Sequence, residues 1–292
     1  MADLDVPTLV TPEWLATHLD DPDLRVVDCT VYLRTDGDGE VRAESGRSDW
    51  DAEHIPGSVF VDLIEDLSET DQPEYPFQLP DPAAFAAEME AVGIGDDTRV
   101  VVYDDPGDER SNEWAARLWW MVRVFGHDQV GVLNGGLTRW VDEGRPTTAE
   151  APVEREVTFT PAFRPGLVAD KEDVVAYTAS DTDTEACVIN ALRPAEHDSS
   201  RIPNTENVPA VGDSAVIDPE TNTYRPTETI QEQFEAVGAT GDEQVVTYCG
   251  GGIAASSAAL AAYVAGIEDV AVYDGSLEEW RSDPDLPLAG ED

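Results

Sequence analysis

Residues 245–264 read VVTYCGGGIAASSAALAAYV. A short β-branched run stops at one cysteine, three glycines follow, and an alanine-rich segment with helical character begins. An apolar run that ends in glycines at the mouth of a helix is the strand–loop–helix unit of a parallel α/β sheet, whose binding sites lie at the carboxyl ends of the strands. Cys249 stands at such an end. The glycines at 250, 251 and 252 are expected to let the backbone curl with its amides inward, because glycine takes φ > 0 at little cost. Such a nest, with the positive end of a helix dipole behind it, binds anions and lowers the pKa of a thiol. The predicted product is a thiolate in a cradle built for negative charge.

The same pattern occurs once more in the chain. VVVYD at residues 100–104 precedes the helix-like NEWAARLWWMVRVFG, as VVTYC at 245–249 precedes AASSAALAAYVAG. VGVLNGGLTRW ending at Trp140 pairs with VAVYDGSLEEW ending at Trp280. Upstream, LRVVD ending at Asp28 pairs with ACVIN ending at Asn190, and HIPGSVFVD from His54 with RIPNTENVP from Arg201. Four landmarks in one order indicate a duplicated α/β domain of ordinary size. The expected boundaries are a first domain over 1–146, a polar, proline-bearing linker over 147–166 (TTAEAPVEREVTFTPAFRPG), and a second domain over 167–292. In the first copy Asp104 holds the place of Cys249, inside DDPGDE, whose four acids (Asp104, Asp105, Asp108, Glu109) would repel an anion.

Composition narrows the partners. The 292 residues carry 62 Asp and Glu against 17 Lys and Arg, a formal net charge of -45, with 41% hydrophobic residues. The apolar content is that of a folded chain, and the charge repels nucleic acid and anionic membranes and costs stability unless salt screens it. The expectation is a salt-adapted, halophilic-type cytoplasmic protein that binds neither. MADLDVPTLVTPEWLATHL at the start has no basic leader or unbroken apolar core, and no stretch reaches the roughly 20 apolar residues of a membrane span. Cys29, Cys187 and Cys249 form an odd, widely spaced set without a CxxC pair, so neither a disulfide framework nor a metal site is expected. Cys29 and Cys187 read as small buried apolar residues beside strands.

Two other readings of the loop compete with nucleophilic chemistry. Gly250, Gly252 and Ala255 form G-x-G-x-x-A after a strand, with Asp274 near the place of a ribose-binding acid, but the pattern falls late in the chain and the first copy lacks it. A phosphatase loop would end in an arginine to clamp a dianion, whereas Ile253, Ala254 and Ala255 close this one.

The chain resembles the tandem-domain rhodanese family, which includes thiosulfate and 3-mercaptopyruvate sulfurtransferases. HIPGSVFVD, ARLWWMVRVFGHDQVGVLNGGLTRWVDEGRP at 116–146 and YCGGGIAA at 248–255 carry the resemblance. It implies two rhodanese-like domains, each a mostly parallel sheet flanked by helices, the first without its cysteine and catalytically inactive. It implies no cofactor and a double displacement. Cys249 would take a sulfane sulfur from thiosulfate or 3-mercaptopyruvate as a persulfide and pass it to cyanide or a thiol, with residues 250–255 holding the charge. The alternatives are a sulfur carrier or regulatory protein delivering persulfide to a protein partner, and a structural pseudo-enzyme. The neutral Gly250 and Gly251 lie closer to the mercaptopyruvate type, yet Gly251 and Ala254 stand where that type has serine and threonine. Candidate substrate-binding residues are Arg193, one place later than the family's arginine, Arg201 and His54, each with a structural alternative.

Overall fold

The computed structural model describes residues 5–35, 37, 41–71, 73–105, 113–179 and 186–290. They form two compact units, one of residues 1–70 and 79–163, the other of residues 71–78 and 164–292. Asp108 and Glu109 of the first copy's acidic loop lie outside the described residues.

The first unit contains, in chain order, β1 (Leu9–Val10), α1 (Pro12–His18), β2 (Leu24–Asp28), β3 (Val31–Thr35), β4 (Val41–Ser45), α2 (Arg47–Ala52), β5 (Val59–Phe60), α3 (Pro82–Ala91), β6 (Arg99–Tyr103), α4 (Glu113–Val124), β7 (Val130–Leu133) and α5 (Gly136–Asp142). The second contains β8 (Val168–Ala169), α6 (Lys171–Thr178), β9 (Ala186–Asn190), α7 (Pro194–Ser199), β10 (Glu206–Asn207), β11 (Ile217–Asp218), β12 (Thr223–Tyr224), α8 (Thr227–Ala236), β13 (Gln244–Tyr248), α9 (Ile253–Val264), β14 (Val270–Tyr273) and α10 (Ser276–Ser282). Each unit is built on one parallel sheet, ordered β5-β2-β6-β7-β1 in the first and β10-β9-β13-β14-β8 in the second. The two orders superimpose strand for strand, with β6 and β13 at the centre. Both central strands are fully buried on both faces along VVVY and VVTY, which is why they read as continuous apolar runs.

Side chains at equivalent places repeat the same bonds. The hydroxyl of Tyr103 accepts from the amide of Ile55 and pairs with Ser58, while that of Tyr248 accepts from the amide of Ile202 at 3.1 Å and pairs with Thr205 at 2.8 Å. Trp140 and Trp280 donate their indole N–H to the carbonyls of Pro146 and Pro287, both at 2.8 Å. Each Ile-Pro turn is thereby hung from the centre of its sheet, and each chain exit from the last helix is tied to a buried indole.

The segment expected to connect the two domains is bound along much of its length to the first unit. The Arg25 guanidinium donates to the carbonyl of Val153, Arg155 donates to that of Leu24, the Phe159 amide donates to Glu90, and Thr160 is held by Asp96 through its amide and hydroxyl. The Ala162 amide closes the run on the carbonyl of Phe125.

Tyr248→Phe removes the acceptor of the Ile202 amide and a partner of Asn190. Leaving these buried donors unpaired is expected to cost about 1–3 kcal/mol, read as a lower denaturant midpoint of the second unit's transition with unchanged m.

Candidate functional site

Cys249 follows the last residue of β13 and is 2% exposed. Its amide donates to Ser276 Oγ at 3.1 Å, and its carbonyl accepts from the Leu277 amide at 3.1 Å. The Gly250 carbonyl accepts from Glu278 at 3.0 Å, and Ser276 Oγ in turn donates to the Tyr273 carbonyl at 2.8 Å. Ser276 itself has φ 49°, a left-handed conformation rare for a residue with a side chain. The turn after β14 therefore grips the loop by its carbonyls. Behind it, Thr247 Oγ1 donates to the Ala255 carbonyl at 2.9 Å. The first turn of a helix has no intrahelical acceptor for its amides, and among the described residues the amides of residues 250–255 meet no acceptor at all. The loop thus presents a set of open N–H donors beside a buried thiol, at the positive end of the 12-residue helix α9.

The three glycines do not share one job. Only Gly252, the N-cap of α9, takes a positive φ, 82°, so the expectation that all three curl through the left-handed region is corrected. One left-handed residue suffices to turn the chain from strand to helix. A side chain at Gly250 would meet nothing within 4 Å, and one at Gly251 would come 3.7 Å from the ring of Phe77, ordinary contact. Gly250 and Gly251 therefore keep the space beside the loop open, and Gly252 shapes the backbone.

The first unit shows the same scaffold with the opposite content. Asp104 follows β6, is 1% exposed, and has its carbonyl bonded by Leu137 at 3.0 Å, as Leu277 bonds Cys249. Its Oδ2 accepts the amides of Trp114 and Ala115, both at 3.1 Å, in the first turn of α4. The amide cradle of the first copy is filled from within by its own side chain. Burial pushes the Asp104 carboxyl well above the usual range, opposed by the Ala115 amide and reinforced by Asp28, Asp105 and Glu113. A cavity of about 100 Å³ beside it is lined by Asp28, Asp49, Glu53 and Asp105, a poor host for an anion.

The other candidates separate by what their side chains already hold. His54 is 1% exposed, with Nδ1 on the Trp50 carbonyl at 2.7 Å and Nε2 on the Glu150 carbonyl at 3.1 Å. Arg201 occupies the matching place and donates to the carbonyls of His197 and Asp198 at the end of α7. Each pairs through its backbone with the segment past the last helix, His54 with Thr148 and Arg201 with Ala289. Both side chains are engaged in holding turns. Arg193 lies three residues beyond β9, is exposed, and forms no ion pair among the described residues, so its guanidinium remains available. Cys29 is fully buried, its thiol donating to the Tyr103 carbonyl, and burial raises it well above its ordinary value. Burial likewise raises Cys187 to about 11, and none of the three cysteines is in a disulfide. Ser276 and Thr247, which set the loop's shape, gave no sequence signal beyond their place next to the two matched strands. Asp274, at the place of a ribose-binding acid in the glycine-fingerprint reading, is 2% exposed and accepts the Tyr75 hydroxyl at 3.2 Å.

The Rhodanese-like domain family matches residues 11–143 and 173–283. The chain belongs to the rhodanese family. It is 34% identical to the thiosulfate sulfurtransferase of Gallus gallus over 93% of its own length and 92% of the relative's. It is also 34% identical to the 3-mercaptopyruvate sulfurtransferase of Escherichia coli (strain K12), over 96% of each chain. The crystal structure of SseA from Escherichia coli, described as a 3-mercaptopyruvate enzyme, superimposes with a TM-score of 0.76 at 31% identity, covering 93% of this chain and 99% of that one. This rhodanese is a sulfurtransferase, made of two rhodanese-like domains. Among its described residues no helix is long and apolar enough to cross a membrane, and no group of three or more His, Cys, Asp or Glu side chains is placed to hold a metal ion.

Gly252→Ala places a side chain on a left-handed residue and is expected to destabilise the second unit by about 1 kcal/mol or more, whereas Gly250→Ala leaves the thermal midpoint near that of the parent. A second expectation concerns pH. Burial raises Asp28 from 3.8 to about 6, against the opposing bonds from Thr30 and Tyr103. The folded chain therefore holds this proton more tightly than the unfolded one, and the associated stability, complete below about pH 4, is lost as pH rises through about 6. Between pH 4 and 7 the parent should lose about 2 kcal/mol relative to Asp28→Asn, a gap that denaturant titrations at the two pH values measure.

Proposed function

We propose that Cys249 is the sulfur-carrying nucleophile of this sulfurtransferase and that residues 250–255 bind the charge of its persulfide. The observation that carries the reading is the contrast between the two copies. The amides beside Cys249 are open, and those in the equivalent place of the first copy are taken by Asp104. In this reading residues 1–146 form the inactive half, 147–166 connect, and 167–292 catalyse.

The thiolate of Cys249 attacks the outer sulfur of thiosulfate, whose S–S bond breaks with its electron pair leaving on sulfite. With 3-mercaptopyruvate the C–S bond breaks instead, the pair stays on carbon, and a proton taken there gives pyruvate. In the second half an acceptor, cyanide or a thiolate, attacks the outer persulfide sulfur, and Cys249 departs as thiolate with the bonding pair. Electrons and atoms balance in both halves without a redox cofactor. The loop amides contribute most where negative charge sits on the terminal sulfur, as preorganised donors do for an oxyanion. Arg193 is the guanidinium available to a carboxylate or sulfonate end of the donor. His54 and Arg201 serve the architecture.

The test is an intact-mass measurement in high salt, which screens the charge of -45. Incubation with thiosulfate or 3-mercaptopyruvate is expected to add one sulfur atom to the parent and none to Cys249→Ser, and cyanide should remove it as thiocyanate. Loading of the Ser variant at the parental rate, or no loading of the parent by either donor, overturns the proposal.

A further inference from the structure

Residues 71–78 stand between two elements of the first unit in sequence, yet by their contacts they are part of the second. Two side chains anchor them there. The Tyr75 hydroxyl donates to Asp274 Oδ2 at 3.2 Å, and the ring of Phe77 lies 3.7 Å from where a Gly251 side chain would begin. Asp274 is one residue from Gly275 and two from Ser276, whose Oγ accepts the Cys249 amide. Tyr75 is thus fastened to the same turn that grips the Cys249 loop. Phe77 has φ 59°, a left-handed conformation that a residue with a side chain adopts only at a cost, and such strain persists where surrounding contacts fix it. Phe77 is half-buried, with its ring close to Gly251.

Resting on the reading of Cys249 as the sulfur carrier, we propose that Phe77, held in place by Tyr75, is a specificity-determining wall of the sulfur-transfer site that favours a carbon-bearing sulfur donor over an inorganic dianion. Gly250 and Gly251 offer no side chain, and residues 250–255 contain no basic group. The loop itself therefore offers only backbone amides, with the aromatic face of Phe77 beside them. An aromatic wall gives a methylene and carbonyl skeleton apolar contact. It also removes water from a thiosulfate dianion without supplying a counter-charge, which is costly. A mercapto-acid such as 3-mercaptopyruvate fits this combination, its sulfur toward Cys249 and its carbon chain along the ring.

The experiment measures kcat/KM for 3-mercaptopyruvate and for thiosulfate, with cyanide as acceptor in high salt, for the parent, Phe77→Ala, Phe77→Leu and Tyr75→Phe, each checked for an unchanged thermal midpoint. The parent should prefer the mercapto-acid. Phe77→Ala should lower the ratio of the two constants by about tenfold, mainly through KM for 3-mercaptopyruvate, the scale of losing contact with one or two carbon groups. Phe77→Leu, which keeps an apolar wall, should restore most of the preference, and Tyr75→Phe should reduce it in the same sense. A parent that prefers thiosulfate overturns the proposal while leaving the sulfurtransferase reading intact. So does a Phe77→Ala variant that loses both donors equally or keeps the parental ratio. If Phe77→Ala fails to fold, an unchanged ratio in both Phe77→Leu and Tyr75→Phe also overturns it. A parent that loads sulfur from neither donor instead defeats the underlying reading of Cys249.

Discussion

The bond from the Leu277 amide to the Cys249 carbonyl, 3.1 Å long, is the constraint on which the site rests. With Ser276 bonded to the Cys249 amide and Glu278 to the Gly250 carbonyl, it fixes the peptide planes on both sides of the cysteine. A loop held by its carbonyls from one side is free to turn its remaining amides elsewhere, and the left-handed Gly252 then leads them into the first turn of α9. Without that grip the glycines would be a floppy tether, because Gly250 and Gly251 have no side chain to restrain them. The parallel sheet makes the grip available. β14 neighbours β13 in register, so the turn leaving one strand end arrives beside the other.

The same constraint operates in the first unit, where Leu137 bonds the Asp104 carbonyl, and the outcome there is an occupied cradle. A carboxyl oxygen on the amides of α4 gives the helix terminus an acceptor, so the fold accommodates an aspartate where the second copy has a cysteine. The cost appears as a cluster of buried acids, burial raising Asp28 to about 6 and Asp104 well above its ordinary value. In a chain with 62 acids and only 17 bases, the arginines are spent with care. Arg99 pairs with Asp21 and Asp23, while Arg25, Arg155 and Arg201 hold backbone carbonyls in place of acids. This use of guanidinium groups as architectural clips explains why Arg201, attractive as a substrate ligand on position alone, is committed elsewhere.

Much of the scaffold was legible because duplication made the chain its own comparison. The paired tyrosines and tryptophans fell at the same points of both sheets, and the apolar runs at 100–103 and 245–248 became the central strands. The linker was less legible. TTAEAPVEREVTFTPAFRPG is polar and proline-bearing whether it lies in water or is tied down, and only the partners Arg25, Glu90 and Asp96 distinguish the two. The glycine triplet was read too uniformly, because a glycine's freedom says that a left-handed turn is allowed at 250, 251 or 252 and does not say which one takes it.

By itself the sequence determined the duplicated α/β architecture, the place of Cys249 at a strand end before a glycine turn, and the presence of Asp104 at the matching place of the first copy. These are local or periodic features, written in residues next to one another or in the repeat. The tertiary structure alone decided that His54 and Arg201 hold turns, that the first copy's cradle is filled by Asp104, and that Tyr75 and Phe77 lie against the turn and loop around Cys249. Those facts depend on which groups meet across long separations in the chain, and a hydrogen bond such as Tyr75 to Asp274 leaves no periodic trace in either segment that makes it.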